Sequence, residues 1–235
     1  MKKDFVNLKN VFKSYKTSAG DLPVLKNVSF EINEGEFVVI AGPSGAGKTT
    51  LLNLLGGMDS ATEGTIFVDD KNITAFNEKD LTEYRRVDVG FVFQFYNLMP
   101  NLTALENIEL AVEICKDPLN PRKVLKDVGL ESREKNFPAQ LSGGEQQRVS
   151  IARAVAKNPK IILCDEPTGA LDFETGKRVL RLLHEICRNQ NKTVIIVTHN
   201  SALKEMADRV IVIKNGQAEE ITINKKPKDI GDIEW

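Results

Sequence analysis

The sequence predicts an α/β fold with a mainly parallel core sheet, an antiparallel β subdomain at one edge and an inserted helical subdomain. Short apolar runs that are continuous rather than alternating are typical of strands buried on both faces of a parallel sheet. Helical patterns separate these runs, as crossover helices would. Other strand-like stretches alternate between apolar and polar residues, which favours antiparallel strands. The continuous runs cover residues 37–41, 161–166, 193–199 and 209–213.

The remaining elements are placed around these four runs. A helical pattern follows the first run, and a longer one at residues 175–190 separates the second run from the third. Just after the fourth run ends, the pair Asn215-Gly216 predicts the turn of a β-hairpin. The alternating stretches, which predict the antiparallel strands, cover residues 6–15, 25–32 and 64–70.

We interpret the chain as one domain, residues 1–235. The α/β body with its antiparallel β subdomain takes residues 1–94 and 159–222. A helical subdomain takes residues 95–158, where helical patterns dominate and two proline-containing segments break them. Residues 223–235 form a polar tail, which we expect to be loosely ordered.

Composition and charge exclude several classes of protein. Lys plus Arg number 32 and Asp plus Glu number 33, a net charge of −1, which argues against a nucleic-acid coat. Three scattered cysteines suit free thiols in a reducing compartment. The N-terminus lacks the apolar segment of a signal peptide, and no stretch approaches the roughly 20 apolar residues of a membrane span. We expect a cytosolic location, with a membrane reached only through a partner.

The segment GPSGAGKTT, residues 42–50, fits the phosphate-loop pattern between a predicted strand and a predicted helix. Backbone N–H groups and the dipole at such a helix start attract phosphates. Lys48 is expected to reach the β- and γ-phosphates, and the Thr49 hydroxyl to ligate Mg²⁺. The alternative is a glycine-rich turn with a surface lysine. The predicted phosphate-loop residues are Gly42, Ser44, Gly45, Ala46, Gly47, Lys48 and Thr49.

Two adjacent carboxylates, Asp165 and Glu166, end the second continuous run. The carboxyl edge of a parallel sheet places them beside the phosphate loop. Asp165 is then a candidate for the Mg²⁺ shell, and Glu166 is free to orient or deprotonate a water molecule. The alternative is an acidic strand end that only caps a turn at Pro167.

Two further polar residues stand at the ends of apolar stretches. His199 ends the third run at the same sheet edge, and topology alone places it opposite a γ-phosphate. A structural histidine is the alternative. Gln94 follows the apolar residues 91–93 and either caps a turn or touches Mg²⁺ and the attacking water.

A second helix start, LSGGEQQR at residues 141–148, also has features of an anion site. Ser142 and Glu145 have the spacing of a capping box, which begins a helix without any ligand. Gly143 and Gly144 favour a close approach to a phosphate, since a capping box needs no glycine. We therefore expect these four residues to contact a nucleotide, although the chain already has a phosphate loop.

Together these motifs resemble the ATP-binding cassette (ABC) family of transporter ATPases, and in the family's order they cover most of the chain. The resemblance implies an ABC-type phosphate-loop fold, the cofactors ATP and Mg²⁺, and a homodimer. In this family two cassettes pair head to tail, and the LSGG segment of each closes over the other's nucleotide. The family further implies adenine stacking by Tyr15, an α-phosphate contact by Thr50, a Mg²⁺ contact by Gln94, catalysis by Glu166, a γ-phosphate switch at His199 and a cross-dimer contact by Asp172.

Residues 91–109 resemble most closely the lipoprotein-release and macrolide-exporter branch of the family. That branch implies export, or ATP-driven motion of an extracytoplasmic part, through an integral membrane permease that holds the chain on the cytoplasmic side. The permease would contact residues 95–102, whose aromatic and apolar side chains fit a contact patch. The alternative is that these side chains belong to the core of the helical subdomain. Residues 109–141 are short for this branch, and Glu145 stands where many relatives have glutamine.

Two other classes of protein fit these motifs less well. A soluble cassette ATPase acting on DNA would need a long coiled coil between Gln94 and Leu141, and one acting on the ribosome would need a second cassette in the chain. A phosphate-loop kinase would need no LSGG segment. We therefore expect a transporter subunit with no nucleic-acid partner.

Overall fold

The computed structural model describes residues 4–18 and 20–233. Within these residues the strands are β1 (Asp4–Thr17), β2 (Gly20–Asn33), β3 (Phe37–Ala41), β4 (Glu63–Val68), β5 (Lys71–Asn72), β6 (Val89–Val92), β7 (Ile161–Asp165), β8 (Thr193–Thr198), β9 (Arg209–Lys214) and β10 (Gln217–Ile223). The α-helices are α1 (Lys48–Leu55), α2 (Glu78–Val87), α3 (Ala104–Val112), α4 (Pro121–Asp127), α5 (Gly143–Ala156) and α6 (Phe173–Gln190). None of these helices is both long enough and apolar enough to span a bilayer.

The core is a six-stranded sheet in the order β10-β9-β3-β8-β7-β6. Neighbouring strands from β9 to β6 are parallel, and β10 pairs antiparallel with β9 through the hairpin turn at Asn215-Gly216. Strands β3, β7 and β8 are buried almost throughout, which is why their apolar runs are continuous. The predicted α/β class, the four continuous strands and the hairpin are confirmed.

The alternating stretches form the second sheet, in the order β2-β1-β4-β5, and its strand pairs are antiparallel. Its inner face packs with α1 on one side of the parallel sheet, around residues such as Leu8, Ile32 and Leu51. Helices α3 to α6 cover the other side, around residues such as Ile108 and Leu183. Burying one such side chain contributes roughly 1.5–3 kcal/mol, so both layers hold the central sheet in place.

Residues 95–158 contain α3, α4 and α5. Helix α3 begins at a capping box in which Thr103 and Glu106 exchange hydrogen bonds with the backbone, and Asn120 caps α4, which has Pro121 at its first position. The α3 and α5 helices pack directly on one another. The boundaries of the helical subdomain stay a prediction.

The C-terminal segment differs from the expected loose tail. Strand β10 continues to Ile223, and Ile230 and Ile233 are buried in the core on the α6 side of the sheet. The Asn224 side chain donates to the backbone oxygens of Lys204 and Ala207, at 2.9 and 2.7 Å. Two isoleucines on a short 3-10 turn are enough to anchor a segment whose composition is otherwise polar.

Candidate functional site

The phosphate loop joins the end of β3 to the start of α1 at the carboxyl edge of the parallel sheet. Gly42 has a φ of 155°, and a β-carbon there would lie 2.0 Å from the backbone oxygen of Ile213 on β9. Gly47 occupies the N-cap of α1 with a φ of 98° and offers no side-chain cap. The first N–H groups of α1 therefore lack a side-chain acceptor, which suits an anion.

Lys48 lies beneath this loop and is only 7% exposed. Its Nζ donates to the backbone oxygens of Gly42 and Pro43, both at 2.9 Å. The loop carbonyls thus satisfy a buried ammonium group and fix its position at the helix start. The surface-lysine alternative is wrong, because this lysine is buried.

Asp165, the last residue of β7, lies beside the same helix. Its Oδ1 accepts a hydrogen bond of 3.2 Å from the Thr49 hydroxyl. Burial raises the pKa of Asp165 above its usual value, and the neighbouring Glu166 carboxylate raises it further, while the Thr49 hydrogen bond and the charge of Lys48 oppose the shift. A carboxylate in this setting would be stabilised in its charged form by a further cation.

Glu166 and His199 come together at the ends of β7 and β8. The Glu166 Oε1 lies 2.8 Å from the His199 Nδ1, and the Thr198 hydroxyl donates to Oε2 at 3.2 Å. Glu166 has a φ of 47°, a left-handed conformation that is uncommon for a residue other than glycine. Such strain is often found at functional sites. Sequence reasoning missed Thr198, although its position before His199 on a parallel strand was the available signal.

Gln94 lies near this pair. A β-carbon on Gly169 would be 3.3 Å from the Gln94 Nε2 and 3.5 Å from the Glu166 Cβ. Gln94 therefore borders the loop that follows β7. A cavity of about 310 Å³ opens here between Glu166, His199 and the start of α6. The structure thus gathers Gln94, Glu166 and His199 at one edge, as predicted from topology.

Tyr15 lies at the end of β1, close to the phosphate-loop helix. Its hydroxyl donates to the Asp59 Oδ2 at 2.7 Å, and the Lys13 Nζ lies 4.7 Å from its ring centroid. Burial and Asp59 raise the pKa of Tyr15, and a hydrogen bond with Thr50 lowers it. Thr50 and Tyr15 are therefore neighbours. Sequence reasoning missed Asp59, which is 44 residues from Tyr15 and stands in no recognisable motif.

The LSGG segment begins α5 with the predicted capping box. The Ser142 hydroxyl accepts from the Glu145 N–H at 3.3 Å, and Glu145 Oε2 accepts from the Ser142 N–H at 2.8 Å. The Ser142 N–H and Arg133 lower the pKa of Glu145, and Arg133 Nε donates to its Oε1 at 2.9 Å. Glu145 is thus committed to contacts within its own chain.

The expectation that only a phosphate needs the two glycines requires a correction. A β-carbon on Gly144 would lie 2.1 Å from the Thr175 Cγ2 on α6, and one on Gly143 would lie 2.8 Å from the Tyr96 hydroxyl. Packing of α5 against α6 therefore demands Gly144 without any ligand. The nucleotide role of Ser142, Gly143, Gly144 and Glu145 stays a prediction.

We expect Gly144→Ala to destabilise the fold, although alanine normally favours a helix. Forcing an extra carbon into a packed contact costs about 1–3 kcal/mol. Thermal unfolding of the variant should show a lower melting temperature than the original chain. Thr175→Ser removes the opposing methyl group, so the double variant should recover most of the loss. Equal melting temperatures for the single variant and the original chain would show that the contact is not tight.

Residues 95–102 form an exposed loop between β6 and α3. The Phe95 side chain is 77% exposed and Met99 is 48% exposed, whereas Leu98 packs partly against the core. Tyr96 and Asn97 both have left-handed backbones. The loop is fixed from beneath by a buried asparagine, Asn107, which sequence reasoning missed. Asn107 exchanges hydrogen bonds of 2.7 and 3.1 Å with the backbone of Met99.

Asp172 caps α6, accepting from the Thr175 N–H at 3.0 Å, and hydrogen bonds with the Thr175 side chain and N–H lower its pKa. Its contact across a dimer stays a prediction.

No hydrogen bond or ion pair joins residues 142–145 to residues 42–50, both of which the structure describes in full. The chain therefore presents two separate helix starts, of which only the first lies at the Asp165–Glu166 edge.

Comparison with known proteins assigns this arrangement to a family. The family model described as ABC transporter matches residues 25–169. The ABC transporter ATP-binding protein MJ0796 of Methanocaldococcus jannaschii is 46% identical over 223 residues, covering 91% of this chain and 95% of that protein. A solved dimeric structure of the MJ0796 cassette, described as a post-hydrolysis state bound to ADP and Pi, has a TM-score of 0.85 at 44% identity and covers 93% of this chain and 98% of that one.

Two longer proteins also match. MG065, an ABC transporter ATP-binding protein of Mycoplasma genitalium, is 44% identical over 99% of this chain, which spans 50% of that protein's length. The macrolide export ATP-binding/permease protein MacB of Shigella flexneri is 44% identical over 90% of this chain and 33% of its own length. With a phosphate loop, an acidic strand end and a capped LSGG helix in one fold, the chain belongs to the ABC transporter family, as an ATPase domain.

Proposed function

We propose that this chain binds ATP with Mg²⁺ and hydrolyses it as one of two paired copies, and that the pair drives a membrane permease. The observation that carries the proposal is the junction of Thr49 and Asp165, which joins the phosphate-loop helix to the acidic strand end. The permease system is an exporter or one that transmits motion across the membrane.

Nucleotide binding rests on residues 42–50. The free N–H groups at the start of α1 and the buried Lys48 offer donors and a positive charge to the phosphates. Thr50 contacts the α-phosphate. Tyr15, which adjoins Thr50 at the protein surface, receives the adenine ring.

The donor set fits Mg²⁺. Hydroxyl and carboxylate oxygens are the ligands that this cation prefers. The Asp165 carboxylate is poorly solvated, and the charge of Lys48 offsets its raised pKa only in part. Thr49 and Asp165 would hold the ion, with Gln94 as a third contact. When bound, Mg²⁺ neutralises charge on the phosphate oxygens.

Hydrolysis is assigned to Glu166 and His199. The Glu166 carboxylate accepts the proton of the attacking water, and the Thr198 hydroxyl and the His199 ring hold it in place. The His199 ring contacts Glu166 and remains largely exposed toward the cavity, where it meets the γ-phosphate. Glu166 and His199 thus act from the same edge of the sheet.

Pairing of two copies explains the second helix start. The LSGG segment makes no polar contact with the phosphate loop of its own chain, so it is available to the nucleotide of a second copy. The relative MJ0796 is described as a dimeric cassette. Ser142, Gly143 and Gly144 then close over the partner's γ-phosphate, and Asp172 lies at the same interface.

The permease contact is assigned to residues 95–102, and it holds the chain on the cytoplasmic side of the membrane. Exposed Phe95 and Met99 provide apolar area on a loop that Asn107 keeps rigid. The loop begins directly after Gln94, so a movement of the permease that shifts this loop also shifts Gln94 at the nucleotide site. The relative MacB is named as a combined ATP-binding and permease protein.

We expect Phe95→Asp to abolish recovery of the permease without changing the fold, because it places a charge on an apolar contact. The measurement is a pull-down from detergent-solubilised membranes of the cell that makes this chain, followed by mass spectrometry. Ile223→Asp, which alters another exposed apolar residue, is the matched control and should retain the membrane protein. Recovery of equal amounts with both variants would contradict the proposed surface.

A further inference from the structure

Three arginines stand apart from the other arginines of the chain. Arg85, Arg86, Arg122, Arg133, Arg153, Arg188 and Arg209 each donate to a carboxylate, a hydroxyl or a backbone oxygen. Arg148, Arg178 and Arg181 donate to no acceptor among the residues that the structure describes. A guanidinium cannot lose its charge at ordinary pH. Arg178 and Arg181 are exposed and Arg148 is half-buried, so their donors are available to an acceptor from outside the chain.

These three side chains line a single groove of about 330 Å³. Arg178 and Arg181 lie three residues apart on one face of α6, and Arg148 lies on α5, one turn beyond the contact of Gly144 with Thr175. The turn that ends α4 forms another wall. The groove therefore joins three helices beside the LSGG segment and away from the phosphate loop.

The electrostatics of Arg148 agree with an incomplete site. Burial lowers the pKa of Arg148, and the charge of Arg178 lowers it further, while Glu145 opposes the shift. The largest of these effects is burial of the Arg148 charge, and a bound anion would offset it.

We propose that this groove binds a small anion with phosphate-type oxyanion groups, held by Arg148, Arg178 and Arg181. Guanidinium groups bind such oxyanions through paired hydrogen bonds. The ligand is small because Glu185 follows Arg181 by one turn on α6 and Asp127 lines the wall at the end of α4. A long polyanion such as nucleic acid would extend past the arginines and be repelled by these carboxylates.

The probe is inorganic pyrophosphate, measured by titration calorimetry in magnesium-free buffer. The titration uses the Lys48→Ala chain, so that the phosphate loop does not compete. We expect saturable binding to one site. Adding Arg178→Gln and Arg181→Gln should weaken it by about tenfold or more, since two charge-assisted donors are lost. Adding Lys123→Gln and Lys126→Gln instead removes the same charge from α4 and should leave the affinity unchanged.

Thermal melting checks that each chain is folded. If the glutamine pair fails to fold, Arg178→Lys with Arg181→Lys keeps the charge and loses the paired hydrogen bonds, and should bind more weakly than the Lys48→Ala chain. Absence of saturable binding to the Lys48→Ala chain would overturn the proposal. Equal pyrophosphate affinities for the Arg178→Gln/Arg181→Gln chain and the Lys123→Gln/Lys126→Gln chain would also overturn it, because binding would then follow net charge alone.

Discussion

Glu166→Gln is expected to lower the rate of ATP hydrolysis by about 10²–10⁴-fold, the contribution of a general base. Glutamine has the same shape and keeps a hydrogen bond to His199, but its amide cannot accept the proton of the attacking water. The phosphate loop is untouched, so ATP and Mg²⁺ should bind as before. With hydrolysis blocked, the paired form should accumulate in the presence of ATP.

Phosphate release in a single turnover measures the first effect, and size-exclusion chromatography with ATP measures the second. Glu78→Gln, an exposed carboxylate at the start of α2, is the control for removal of a negative charge. Turnover of the Glu166 variant near the original rate would mean that another group accepts the proton.

Lys48→Ala is expected to weaken ATP binding by about tenfold to a hundredfold, since hydrogen bonds to charged groups each contribute about 1.5–3 kcal/mol. The change removes the ammonium facing the phosphates and leaves the Gly42 and Pro43 oxygens without their donor. Hydrolysis should be lost with it.

Calorimetric titration with ATP gives the affinity directly. Lys79→Ala removes an exposed lysine of α2 and should bind ATP like the original chain. An unchanged affinity for the Lys48 variant would place the nucleotide somewhere other than residues 42–50.

Local patterns predicted the central sheet well, because strands buried on both faces must be continuously apolar. Strand β6 was not predicted, because its four residues include a glycine and are too few to form a recognisable pattern. The C-terminal anchor escaped for a related reason. Ile230 and Ile233 are two apolar residues in a polar segment, and only the finished core shows that they are buried.

The site was predictable where a sequence motif specifies the local structure around it. Residues 42–50 fix a strand, a loop and a helix, and the carboxyl edge of the sheet then brings Asp165, Glu166 and His199 to them. Contacts between distant segments were not predictable. The fit of Gly144 against Thr175 and the hydrogen bond from Tyr15 to Asp59 depend on how separate elements pack, and no local spacing encodes that.

In the proposed dimer, the LSGG segment of one copy completes the ATP site of the other. A mixed pair tests it, with Lys48→Ala in one subunit and Ser142→Arg in its partner. Ser142 is exposed, so arginine fits the isolated chain, and loss of its cap costs only about 1 kcal/mol. One composite site then carries both defects. The other joins an intact phosphate loop to an intact LSGG segment.

The measurement is photo-crosslinked ATP retained on the Ser142→Arg subunit after free nucleotide is removed. If the site is shared, this subunit retains ATP when the Lys48→Ala partner is present and loses it when the partner is absent. If each LSGG segment serves its own subunit, neither copy is whole, and the crosslink yield on the Ser142→Arg subunit is the same with and without the partner.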